Sequence, residues 1–264
     1  MPDFQENFNS ILKKRLFKVS LLAFIALLLF CFITYLLLQK TQFLPKVEVN
    51  NSFMNNYLVS IYERFQELDY KGMEALKSNK LNNALSSFKQ ALILKKEIYT
   101  INQNKNPEIA TSYRNLGATF YLMGRYDEAL EYHRKALEIR EKINDYEKIS
   151  DSYRNIGIVY ADRGNLEKAL INLKKSLQVI EKALFKAEDP DIKIIYQLKK
   201  ALIYYDMGKV YKLIGNYKKA LKCHERAYTI RKALNADKHD IELSEMAIKE
   251  IGLYLGQTTK FMFL

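Results

Sequence analysis

The sequence predicts an all-α fold: a right-handed helical solenoid of about four helix-turn-helix repeats, with a capping helix behind it and one apolar spanning helix in front. Three observations carry this expectation. One set of small and apolar residues recurs in a single frame along most of the 264 residues. The composition, 48% apolar with nine glycines and four prolines, suits long helices and argues against a sheet protein with many turns. Residues 19–38 run for twenty positions without a charge.

The frame is clearest in residues 110–140, ATSYRNLGATFYLMGRYDEALEYHRKALEIR. Tyr113, Leu116, Gly117 and Phe120 lie at helical spacing, Gly124 interrupts, and Tyr126, Ala129, Leu130, His133 and Ala136 resume it. The pattern returns at Tyr153, Ile156, Gly157, Tyr160, Gly164, Leu166, Ala169, Leu173 and Ser176. It returns again at Tyr204, Met207, Gly208, Tyr211, Gly215, Tyr217, Ala220, His224 and Ala227. A less regular copy precedes them: Leu68, Gly72, Ala75, Asn79, Leu81, Ala84, Phe88 and Ala91. Small residues such as Gly117 and Ala129 let two antiparallel helices approach closely. Gly124, Gly164 and Gly215 end each first helix in a left-handed conformation, a place that Asn79 takes in the first copy. His133 and His224 stand where Phe88 stands and so read as packing residues rather than ligands.

At these positions the chain resembles the tetratricopeptide repeat family. The equivalent alanines Ala84, Ala129, Ala169 and Ala220 are 45, 40 and 51 residues apart, more than the family's minimal repeat of about 34. The surplus follows each second helix, which stays helical past the motif and breaks near residues 104–107, 144–145, 188–190 and 237–240. Proline after a break, as in NPEIA and DPDIK, is a helix-start signal. Long second helices with such breaks resemble kinesin light chain and the extended repeats of bacterial sensor and adaptor proteins. Eighteen residues separate Pro190 from Gly208 against ten from Pro107 to Gly117, so the fourth copy's first helix should project about two turns past its neighbours. Residues 241–256 repeat only the leading half, with Ile248, Ile251, Gly252 and Leu255 in frame, and read as the cap that covers the last stacked unit.

The domain order expected is a basic tail over 1–18, a transmembrane helix over 19–38, a stalk over 39–52, the solenoid over 53–238, and a capping helix with an apolar FMFL tail over 239–264. Fourteen of the twenty residues in 19–38 are Leu, Ile, Phe or Val, which at about −0.3 to −0.6 kcal/mol each favour insertion by about 4 to 8 kcal/mol. The run is long for a signal peptide, and QKTQFLPK after it has no small-x-small cleavage site. Lys13, Lys14, Arg15 and Lys18 precede it and only Lys40 and Lys46 soon follow. The positive-inside rule then leaves the N-terminus cytoplasmic and the repeats periplasmic or lumenal, in a single-pass membrane protein.

Within each first helix, positions one, two, five, eight and nine past the aromatic anchor share the face opposite the packing stripe and line the inner groove. These are Arg114, Asn115, Ala118, Tyr121 and Leu122, then Arg154, Asn155, Ile158, Ala161 and Asp162, then Tyr205, Asp206, Lys209, Lys212 and Leu213. Tyr-Arg-Asn recurs at 113–115 and 153–155. The resemblance to the extended-repeat proteins implies that such an asparagine holds the backbone of a bound peptide, with the neighbouring arginine suited to a carboxylate. Lys and Arg number 42 against 30 acids, a net charge of +12, but the bases alternate with acids along amphipathic helices and no nucleic-acid module accompanies them. There is no dinucleotide or phosphate-binding glycine motif and no paired histidine in register for zinc. The expected function is therefore a membrane-anchored adaptor, without cofactor or metal. It grips a peptide or helix of a partner protein, acidic in the simplest case. The alternative is the sensory part of a signalling system whose kinase or regulator domain lies elsewhere.

Overall fold

A computed structural model describes residues 52–99 and 106–256. The chain divides into two compact units, residues 1–55 and 56–264, and nearly all of the first lies outside the described residues. Nine helices and no strand are found among the described residues: α1 (Ser52–Lys77), α2 (Leu81–Ile98), α3 (Pro107–Leu122), α4 (Tyr126–Lys142), α5 (Tyr146–Asp162), α6 (Leu166–Lys186), α7 (Pro190–Leu213), α8 (Tyr217–Ala233) and α9 (Lys238–Tyr254). From α2 onward each helix packs on the next, and α5 also meets α7. Each repeat meeting only the repeats next to it is what makes a solenoid.

The single-pass membrane placement expected from the sequence is corrected here. No helix among the described residues is long and apolar enough to cross a membrane, and residues 19–38, on which that placement and its topology rested, lie outside them.

Local chemistry sets the helix ends. Asn106 and Asp189 stand immediately before Pro107 and Pro190, and each side-chain oxygen accepts hydrogen bonds from two free amides of the first turn, at 2.8 and 3.3 Å. Proline sits there at no cost because its missing N–H has no intrahelical partner in any case. Gly124, Gly164 and Gly215 have φ of 73°, 85° and 80°, and Asn79, Asn144 and Asn235 take the same left-handed corner at 54°, 56° and 48°. The fourth pair is the long one: α7 spans 24 residues against 16 for α3.

Each repeat is held shut by one large side chain seated on a glycine. Phe88 lies over Gly72, His133 over Gly117, Leu173 over Gly157 and His224 over Gly208, so close that a Cβ added at Gly208 would stand 2.6 Å from the imidazole. Burial pushes both histidines down to about 4, and nearby cations add to the shift, Arg140 and Arg114 at His133 and Lys212 at His224. Both are neutral packing groups at ordinary pH.

Successive repeats are joined by a second device, seven residues past that plug. Lys95 is fully buried and donates to Asp69 Oδ2 at 2.6 Å and to Ser112 Oγ at 3.1 Å. Arg140 donates to Ser152 Oγ at 2.6 Å and to the Lys148 carbonyl at 3.1 Å, and Arg231 to Ser244 Oγ and the Asp240 carbonyl, both at 2.8 Å. At the α6–α7 joint the cation is Ile180 and the serine is Ile203, both essentially inaccessible and in one apolar cluster. The two positions change together within one chain, from cation with hydroxyl to isoleucine with isoleucine.

Candidate functional site

The first helices of the repeats lie side by side, and their side chains tie that face together. The Tyr121 hydroxyl on α3 donates to Asp162 on α5. Arg154 Nε on α5 donates to Asp206 Oδ2 on α7 at 2.6 Å, and Lys199 on α7 reaches back to both oxygens of Asp151 at 2.8 and 2.9 Å. Lys212 on α7 pairs with Glu250 on α9. Burial raises the Tyr121 hydroxyl, and the Asp162 carboxylate adds to the effect. Asp206 is also raised by burial, with Arg154 opposing.

The ten polar residues among the fifteen groove positions read from the sequence fall into three groups on this face. Arg154 with Asp206, Tyr121 with Asp162 and Lys212 with Glu250 are consumed in bridges between helices. Asn115 is buried, and Tyr205 sits edge-on against His224 at 5.2 Å with Arg231 packed on its ring. Arg114 and Asn155 are half-buried and Lys209 is exposed, and none of the three carries a hydrogen bond or ion pair among the described residues. Leu122 and Leu213, five residues past the helix glycine in repeats two and four, are 54% and 62% exposed beside them.

The face continues onto α9, which the groove positions read from the sequence do not include. The left-handed Gly256, at φ 64°, stands where Gly124 stands, so the frame of α9 runs three residues earlier than one counted from Gly252: Met246, Glu250 and Leu253 take the places of Arg114, Ala118 and Tyr121, and Leu253 is 73% exposed. The glycine frame was the available signal. Among the described residues no three His, Cys, Asp or Glu side chains converge to hold a metal ion. What the face offers is hydrogen bonding, unpaired positive charge and exposed apolar surface, on helices braced against one another.

Comparison with known proteins agrees with the helical-repeat fold. Two family models described as tetratricopeptide repeat match residues 108–182 and 201–234. No curated protein matches in sequence. Among solved structures, BtubC (BKLC) from P. vanneervenii is 18% identical with a TM-score of 0.59, covering 77% of this chain and 84% of that one. A Podosopora anserina putative kinesin light chain with nearly identical TPR-like repeats is 17% identical with a TM-score of 0.55, covering 74% and 88%. A Rap protein complexed with Competence and Sporulation Factor is 18% identical with a TM-score of 0.58, covering 77% of this chain and 54% of that one, so this chain spans about half of it. At these identities the likeness is one of fold: an all-helical solenoid of tetratricopeptide type, in which residues 108–182 and 201–234 match tetratricopeptide repeat models.

Proposed function

We propose that the face built by α3, α5, α7 and α9 is a groove that binds a peptide or helix of a partner protein, making this chain a non-catalytic adaptor. The carrying observation is the row of bridges Tyr121–Asp162, Arg154–Asp206 and Lys212–Glu250. Together they brace four helices into one surface while Arg114, Asn155 and Lys209 stay unengaged. Groups held rigid before the partner arrives lose little freedom on binding, which favours affinity. Arg114 suits a carboxylate on the partner, Asn155 can both donate to and accept from its backbone, and Leu122, Leu213 and Leu253 supply apolar contact. The likeness to a Rap protein solved with Competence and Sporulation Factor supports a second reading, the sensory part of a signalling system whose output domain lies elsewhere.

A photo-crosslinking residue placed at Leu122 should capture a protein partner in cells. Arg114→Glu and Asn155→Ala should each reduce that capture at least about tenfold while leaving the helical circular dichroism intact. Capture that both variants leave unchanged removes the groove from consideration.

A further inference from the structure

The α6–α7 pair stands apart from the other repeats at its far end. Helix α7 is eight residues longer than α3, about 12 Å at 1.5 Å per residue. Its first six residues, 190–195, are all exposed. Yet three of the six are isoleucine: Ile192, Ile194 and Ile195 are 40%, 41% and 48% exposed, and Phe185 in the last turn of α6 is 91% exposed. Apolar residues scattered singly over a surface need no explanation, but four gathered on one projecting tip mark a contact surface.

The charges around the tip say what kind of contact. The tip carries three bases, Lys182, Lys186 and Lys193, and three acids, Glu188, Asp189 and Asp191, on a chain whose net charge is +12. Lys182 and Lys186 lie over the Tyr146 ring and Asp189 caps α7. Glu188 and Lys193 are exposed and carry no ion pair among the described residues. A surface meant for a strongly acidic or basic partner would carry a surplus of one sign. Balanced charge around an apolar centre is what a twofold contact requires, because each residue must meet its complement on an identical surface.

We propose that the tip of the α6–α7 arm is the site where two copies of this chain meet, Phe185 and Ile195 forming the apolar centre and Glu188 of each copy facing Lys193 of the other. The patch is small beside the roughly 800 Å² per partner of a stable interface, so the dimer is a weak one, formed at micromolar concentration. This reading is independent of the groove, which lies on a different part of the first helices.

Sedimentation velocity of the full chain tests it. The wild type should shift from monomer to dimer with rising concentration, and Phe185→Glu and Ile195→Glu should weaken that shift at least tenfold with helical circular dichroism unchanged. Lys193→Glu and Glu188→Lys should each weaken it at least threefold, and the two together should recover it within about twofold. A wild type monomeric at ~100 µM, association that survives Phe185→Glu, or a double reversal as weak as either single would each overturn the proposal. A short bismaleimide should join two chains through Phe185→Cys, in a background carrying Cys31→Ser and Cys223→Ser. It should not do so through Lys174→Cys, at an exposed position further back on α6. Equal yields from the two sites would likewise overturn it.

Discussion

If the joints between repeats are interchangeable chemical units, the Arg140–Ser152 joint can be rebuilt as the Ile180–Ile203 joint. Arg140 is 3% exposed and Ser152 1%, and the guanidinium bonds both Ser152 Oγ and the Lys148 carbonyl. Arg140→Ile strips the buried Ser152 hydroxyl and the partly buried Lys148 carbonyl of their donor, at up to about 1–3 kcal/mol each. Ser152→Ile leaves a buried cation short of a partner and crowds the joint, at about 3–5 kcal/mol. Simple addition predicts a loss of about 5–11 kcal/mol, enough to unfold most domains. The double variant removes charge and hydroxyl together, as at the third joint, leaving the Lys148 carbonyl as the residual cost. It should therefore lie within about 2 kcal/mol of the wild type, a coupling of at least about 3 kcal/mol. Urea denaturation of the four chains, followed by far-ultraviolet circular dichroism, measures each loss. Additive losses, with coupling below about 1 kcal/mol, would refute the idea that the two positions form one unit.

Two further outcomes follow from the plugs and turns. Gly208→Ala should destabilise the chain by about 1–3 kcal/mol, because its Cβ would meet the His224 ring at 2.6 Å, an effect only partly offset by alanine's better helix propensity of about 1 kcal/mol. Gly124→Ala meets nothing within 4 Å but must hold φ near +73°, so its cost of about 1–2 kcal/mol is purely conformational; equal urea midpoints for a bulkier Gly208→Val and Gly124→Val would contradict this division. The buried histidines set a pH dependence. Their folded values of about 4 lie below the ordinary 6.5, so the unfolded chain takes up protons first. Stability is full above about 6.5 and falls by up to about 1.4 kcal/mol per pH unit per histidine down to about 4. Asp206, raised by burial, works in the opposite direction over the acid end of that window. His133→Leu, which copies the residue at Leu173, should flatten the slope in urea titrations between pH about 7 and about 4.5.

The helices and their turns were legible because each depends on residues near one another in the chain. A glycine or asparagine must hold a left-handed corner, a proline can open a helix, and a small residue must face the plug from the neighbouring helix. The long α7 was readable for the same reason, from the distance between Pro190 and Gly208. The joints were harder to see. Lys95, Arg140 and Arg231 look like ordinary solvent-facing bases in amphipathic helices, and only the matched change to Ile180 and Ile203 betrays their burial. The candidate face was half legible. Its positions follow from the frame, but nothing local to Arg154 announces a carboxylate 52 residues away at Asp206, or that Asn115 would be covered while Asn155 stays open.

The paired identities at the joints also act as an address. A unit that ends in a buried cation needs a hydroxyl on whatever follows it, and a unit that ends in Ile180 would leave such a hydroxyl stranded in an oily seam. Segments of this protein can therefore be duplicated, deleted or shuffled without penalty only between seams of the same kind. An engineer lengthening the array would have to write the matching end into every inserted module.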